Sequence, residues 1–412
     1  MLIAEQGPPA GRNHPHARRM AVIAFINYNL AIACMWGSFS ILLGPVEARL
    51  GVSRELSTLG APAINLATAL CAPIAGVLAT RLSLRLIMLA GAILTLAGYA
   101  TLALTTSYPL YLAAFALLLG PGMAIAVIMP GTLVTRWFAV NRGRALGIVT
   151  TPALIGAMPL VISRVLQGHG VVASYLTLAA FSGLSVIACL FIQDRPPASD
   201  TAGDIHDEHA PSDRSIATLA QLARAPRFWA LFIAFAASAT SSIVIGAHMV
   251  PMLRSWGIAQ TAGATLLSIY FFSAIPGTIA YGWIADRLGA VQAMVILAAG
   301  SAAGWIALLE HPGFAVLAVL MVLIGTAGAG VVPVFGLALS EIFGRESFSR
   351  AFGLANLAVL PFSVLCVPAV ALVFTRTGSY AGAVVGMAAF LALTALAAAS
   401  AWRRRAGRIP AT

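Results

Sequence analysis

The sequence predicts an all-α membrane protein with twelve transmembrane helices in two pseudo-symmetric six-helix bundles. Three observations carry this expectation. Of 412 residues, 60% are hydrophobic and 9% are charged, whereas a soluble domain is about 45–50% apolar and 25% charged. So few charges cannot coat a water-facing surface. Twelve apolar runs follow one another, each near the ~20 residues that cross a bilayer. The last six runs repeat landmarks of the first six at a constant offset of 206 residues. The runs are continuous rather than alternating, so closed backbone hydrogen bonding in lipid requires helices and not barrel strands.

The elements follow in order. Residues 1–19 form a cytoplasmic tail. Arg12, Arg18 and Arg19 ahead of an apolar run resemble a secretory signal, but the run at 20–44 is too long for a signal core and belongs to the repeat. It is therefore the first span. Spans two to six lie near 58–79, 84–105, 108–135, 144–166 and 171–193, completing a bundle over 20–193. Residues 194–226, opening on "DRPPASDTAGDIHDEHAPSDR", gather acids and prolines and read as a flexible cytoplasmic linker. His206 and His209 stand there beside Asp204, Asp207 and Glu208; in a linker these read as solvated side chains, and no metal is expected. Spans seven to twelve lie near 227–252, 262–285, 290–310, 312–340, 349–374 and 379–402, forming the second bundle over 227–402. Residues 403–412 form a cytoplasmic tail.

Charge placement sets orientation and excludes functions. All 24 basic residues are Arg, and the net charge is +11. Such a balance raises nucleic-acid binding. The Arg residues, however, sit between apolar runs, and no basic stretch is interleaved with exposed aromatics, so no nucleic-acid partner is expected. With the N-terminus inside, 19 Arg fall on the cytoplasmic side and 5 outside, which favours both termini in the cytoplasm. Cys34, Cys71, Cys189 and Cys366 lie in apolar runs without metal spacing or a disulfide framework. The clusters "GPGMAIAVIMPG" (120–131) and "GTAGAGVVPVFG" (325–336) lack the Lys and spacing of a phosphate loop. They suit close helix approach and bending instead. No nucleophile–base–acid pattern stands outside the membrane. Neither an enzyme nor a cofactor is expected; the partners are a small-molecule substrate and the bilayer, and the chain is expected as a monomer.

The repeat is visible residue by residue. At 206 residues apart stand Pro45 and Pro251, Gly51 and Gly257, Gly76 and Gly282, Arg81 and Arg287, Gly122 and Gly328. "RALG" from Arg144 likewise meets "RAFG" from Arg350. Six spans separate corresponding points, so the halves share one orientation, the parallel-repeat layout of transporters that rock two halves about a central site.

These residues resemble the major facilitator superfamily. "GVLATRLSLR" from Gly76 and "GWIADRLG" from Gly282 are similar to its loop motif of Gly, apolar residues, Asp, Arg and often Gly. The resemblance covers roughly 20–193 and 227–402, and it implies the major facilitator fold and alternating access. "GPGMAIAVIMPGTLVTRWFAVNRGRALGI" and "AHMVPMLRSWGI" resemble the bacterial monocarboxylate-transporter-like members, which implies a small organic acid as substrate and the bacterial inner (plasma) membrane as location. Two departures leave the substrate open. The first-span acidic-Gly motif is absent from "NYNLAIACMWGSF", and the carboxylate-binding Arg of the eighth span falls at Thr278.

The resemblance assigns roles. In the family the loop motif latches the cytoplasmic helix ends, so Asp286 and Arg287, with Arg81, Arg144, Glu341 and Arg350, form the expected latch. Thr80 lacks the charge of Asp286, which makes the first copy the weaker one. None of the thirteen acids lies mid-span, and ionisable groups within spans are costly and usually functional. His248 is the one group there that titrates near neutral pH. It is the candidate proton carrier or substrate donor, and a helix–helix contact is the competing reading. The uncharged polar residues Asn27, Tyr28, Asn29, Asn65, Tyr270, Thr278, Tyr281 and Asn356 lie on spans that line the cavity in this family; packing between helices is the alternative for each. Efflux of drugs or hydrophobic metabolites is the second functional expectation, and a membrane sensor or scaffold the third.

Overall fold

The computed structural model describes residues 16–138, 142–194, 224–343 and 348–406. The linker histidines His206 and His209 lie outside them. The described residues form helices without strands. In order these are α1 (Ala17–Leu50), α2 (Arg54–Thr58), α3 (Gly60–Arg81), α4 (Leu84–Leu104), α5 (Tyr108–Ala113), α6 (Gly120–Trp137), α7 (Arg142–Thr150) and α8 (Met158–Leu190). After the linker come α9 (Pro226–Ser255), α10 (Gln260–Phe272), α11 (Ala274–Leu288), α12 (Ala290–Ala307), α13 (Phe314–Phe343), α14 (Phe348–Thr377) and α15 (Ala381–Ala406). A π-helical turn at Ala114–Leu119 joins α5 to α6.

Ten helices among the described residues are long and apolar enough to cross a membrane. Two further features bear on the twelve spans expected from the sequence. The Ala381–Leu396 part of α15 is apolar but shorter. And α8 is two helices, because Gly170 leaves helical geometry with φ 77° and ψ −172°, a conformation that glycine adopts without steric cost. Asn29 Nδ2 donates to the Val149 carbonyl at 3.5 Å, and Asn27 Nδ2 to Cys189 Sγ at 3.3 Å. Two residues on α1 differ by only ~3 Å in height, so Val149 and Cys189 sit at one depth. A straight helix of 33 residues would run ~50 Å and could not bring them level. The chain therefore runs one way through 142–169, turns at Gly170 and runs back through 171–190.

The repeat governs helix bounds and cores. Leu84 and Ala290 open α4 and α12, Tyr108 and Phe314 open α5 and α13, and Trp137 and Phe343 close α6 and α13, each pair 206 residues apart. Gly51 and Gly257 both take positive φ, 63° and 82°. One core cluster holds Ala79, Leu84, Met88, Met129, Leu133 and Val149. The other holds their mates Ala285, Ala290, Met294, Phe335, Leu339 and Ala355. Close crossings depend on missing side chains: a Cβ on Gly122 would lie 2.9 Å from the Gly91 carbonyl oxygen, and one on Gly277 2.5 Å from Thr326 Cα. Outward, Leu66, Leu70, Ile74 and Val77 expose one apolar face of α3, a face suited to lipid.

The described residues fall into two compact units. One takes those within Met1–Met35, Ala63–Ile155 and Val165–Ser212; the other those within Trp36–Pro62, Gly156–Arg164 and Asp213–Thr412. The grouping follows packing rather than the repeat. Within the second unit, Ser40 Oγ accepts from the Val250 N–H at 3.0 Å, and Gln260 Nε2 donates to the Ile41 carbonyl at 3.2 Å.

Candidate functional site

The fifth span is broken. Pro152 lacks an N–H and its ring crowds the carbonyl four residues back, while the residue before it is pushed out of helical geometry. Helix α7 accordingly stops at Thr150, and α8 starts at Met158. Backbone groups freed inside a membrane need partners. Asn29, 1% exposed, supplies both: Oδ1 accepts from the Leu154 N–H at 3.2 Å, and Nδ2 reaches the Val149 carbonyl. Asn27 is buried, and its Oδ1 has no partner. Tyr28 stands half-buried between them. Asn65 on α3 is half-buried, with its Nδ2 unpartnered.

The second unit holds the other candidates. Tyr270 is buried and hydrogen-bonded to Ser242 beside Gly328. Tyr281 belongs to the core cluster against Gly330. Thr278 is exposed, and its Oγ1 donates to the Ala274 carbonyl of its own helix at 3.0 Å. The side chain of Asn356 lies outside the described residues. His248 is 1% exposed. Its Nε2 meets the Val367 carbonyl at 2.9 Å, which makes Nε2 the protonated nitrogen, since a carbonyl only accepts. Nδ1 has no partner. The ring borders a cavity of ≈ 10 Å³ with Val244, Met252, Trp305, Tyr380 and Val384. One water needs about that much space, but also two to four polar partners.

A charged cluster that sequence reasoning did not single out lies at the other end of α1 from Ala17. Arg54 grips Glu47 through Nε to Oε1 at 3.0 Å and Nη2 to Oε2 at 3.3 Å. Its Nη1 donates to the Tyr380 hydroxyl at 3.3 Å, and its guanidinium lies 4.4 Å from the Phe374 ring centroid. Ser57 Oγ adds a bond to Glu47 at 3.3 Å. The pair is about one-fifth exposed. A bidentate, partly shielded pair of this kind is stronger than an open surface pair. Burial pushes the Tyr380 phenol up to about 12, so it stays protonated at physiological pH. The sequence signal was thin: an acid near the end of the first span, and an Arg seven residues on.

At the Arg81 end, acids cap helix starts. Glu341 accepts from the Ala290 N–H at 3.2 Å and Asp194 from the Arg85 N–H at 2.8 Å, each placing negative charge at a positive helix end. Asp286 is exposed and makes no hydrogen bond or ion pair among the described residues. The neighbouring helix start is thus held by Glu341. Arg287 stacks over Trp283 at 4.3 Å, and Arg81 is exposed. The side chains of Arg144 and Arg350 lie outside the described residues. Arg136, unremarked in the sequence, donates from Nη2 to the Ala79 carbonyl at 2.9 Å.

Known proteins share this architecture. A bacterial homologue of the human lysosomal transporter Spinster superposes with a TM-score of 0.74 at 15% identity, covering 94% of this chain and 97% of that one; at that identity the likeness shows the fold alone. The oxalate:formate antiporter of Oxalobacter formigenes is 25% identical over 327 residues, 77% of this chain and 75% of its own. Monocarboxylate transporter 13 of Bos taurus is 24% identical over 328 residues, 77% of this chain and 74% of its own. The sequence profile of the Major Facilitator Superfamily matches residues 24–252 and 231–411. With that match across both halves, the chain belongs to the Major Facilitator Superfamily, as a multi-pass membrane transporter and not an enzyme.

Proposed function

We propose that this secondary transporter moves a small organic acid across the bacterial inner membrane by alternating access. The observation that carries the reading is the kinship, over three-quarters of the chain, to carriers whose names specify oxalate, formate and monocarboxylates. The interior is compatible with an anion. Every described Asp and Glu lies within about a turn of a helix end or beyond it, so no buried carboxylate repels the substrate. Of the neutral candidates Asn27, Tyr28, Asn29, Asn65, Tyr270, Thr278, Tyr281 and Asn356, the Asn27 and Asn29 amides and the Thr278 hydroxyl donate within the protein, whereas Asn65 Nδ2 has no partner and is the donor we assign to the substrate in place of a cation.

The Arg distribution supports an orientation with both termini in the cytoplasm and the Arg54 cluster outside. Asp286 and Arg287, with Arg81, Arg144, Glu341 and Arg350, latch the cytoplasmic side in the outward-open state. There the exposed Asp286 is available to a helix start that approaches it. His248 carries the coupled proton, and the protein acts as a monomer.

The test is reconstitution in liposomes with a panel of carboxylates and of cationic dyes, with and without a pH gradient. Carboxylate uptake is expected. Energised dye movement without carboxylate uptake favours efflux of hydrophobic compounds. Movement of neither class contradicts both.

A further inference from the structure

His248 and the Arg54 cluster meet at one residue. Tyr380 accepts a hydrogen bond from Arg54 at 3.3 Å, and its ring centroid lies 5.9 Å from that of His248. On one side of Tyr380 stands a guanidinium fixed by Glu47 and Phe374. On the other stands a buried imidazole whose Nδ1 faces no partner.

The surroundings of that nitrogen contain little that titrates. From α12 comes Trp305, whose indole donates to Ser241 at 2.7 Å; Glu310 and His311 lie beyond the end of α12, and His311 stacks on Trp256 at 4.5 Å. From α14 come Val367 and Val370. Beside Val367, Cys366 Sγ points to the Ser363 carbonyl, and Arg376 at the helix end is exposed. From α15 come Ala383 and Val384. On α9 itself the charged residue nearby is Arg254, which is exposed. Tyr380 remains, and it stays neutral. A proton added to Nδ1 here creates a cation without an acceptor, in an apolar cavity of one-water size, one phenol away from Arg54. Burying an unpaired charge is costly, and a like charge across a poorly polarisable gap adds to the cost.

We infer that His248 is a proton-binding site gated by Arg54: the proton and the seated guanidinium exclude each other. When the outer helix ends separate, Arg54 leaves Tyr380 and external water reaches Nδ1. A proton from that water forms the Nδ1–H bond, and the ring gains one positive charge. The charged ring then opposes the return of Arg54 until the proton leaves. Because such coupling is reciprocal, external acid favours the open outer seam. Proton entry is thereby tied to one conformation without any acid in the membrane interior. This rests on the proposed orientation and on His248 as the coupled group.

The test uses the full chain in liposomes, spin-labelled at Leu56→Cys and Thr377→Cys, exposed positions flanking the cluster. Distances are measured from about pH 8 to about pH 5, on either side of the ordinary histidine value near 6.5. A severalfold rise of the longer distance in acid is expected. It is lost in His248→Gln and replaced by a pH-independent open population in Arg54→Gln. Acid opening that survives His248→Gln but disappears in Glu47→Gln overturns the inference, because Glu47 is then the titrating group. Should His248→Gln not accumulate, 15N-histidine spectra of otherwise native protein decide: the His248 midpoint must rise in Arg54→Gln, and an unmoved midpoint overturns the inference. The distances need no substrate. Failure of carboxylate uptake therefore removes the cargo reading alone, and pH-insensitive distances beside intact uptake remove this inference alone.

Discussion

Asn29 braces two backbone groups at the break in the fifth span, the Leu154 N–H and the Val149 carbonyl. Replacing it by Ala removes the partner of the Leu154 N–H and of the buried Val149 carbonyl, and an unsatisfied buried group costs about 1–3 kcal/mol. Thermal unfolding in detergent should show Asn29→Ala melting clearly below the parent; an unchanged transition would mean that the break does not need its brace. Asp286 is the opposite case, an exposed acid without a partner among the described residues. If it latches, Asp286→Asn slows carboxylate uptake more than Thr80→Ala does, and equal rates for the two variants remove the latch. Polarity within spans was legible in the sequence for both Asn27 and Asn29. Their different fates were not, because their partners lie more than 100 residues away and only the packing of α1 against α7 and α8 reveals which amide meets which helix.

The helices themselves were largely readable, since a 20-residue apolar run leaves the backbone few alternatives in lipid. The fifth span is the exception. Its Thr151–Pro152 pair is a helix-stopping signal, but the surrounding apolar residues continue the run through it. The turn at Gly170 is legible only as a break between runs. Crossing geometry was legible in kind, as glycine clusters, but not in detail. Gly277 and Gly282 share α11, yet a Cβ at Gly277 would collide with the Thr326 backbone, while one at Gly282 meets nothing within 4 Å. Gly277→Ala is therefore expected to force α11 from α13 and cut the yield of monodisperse protein, whereas Gly282→Ala leaves it unchanged. Size-exclusion profiles of the two variants check this, and similar profiles would contradict the crossing.

The whole molecule repeats one half-chain plan with a 206-residue period in helix starts, positive-φ glycines and core positions. That period was visible in the sequence because helix ends and close crossings constrain residue type strongly. The Arg54 cluster was not, because its two sides come from residues 326 positions apart. A repeat with polar contacts at its helix ends suits a machine that exchanges one set of end contacts for another. Exchange is what separates a carrier from a channel or a scaffold. The most direct measurement is counterflow in proteoliposomes: vesicles loaded with an unlabelled small carboxylate and diluted into a trace of the labelled one. The account predicts transient accumulation of label above its equilibrium level, present with carboxylates and absent with cationic dyes. Label that only equilibrates, at a rate indifferent to internal carboxylate, would contradict it.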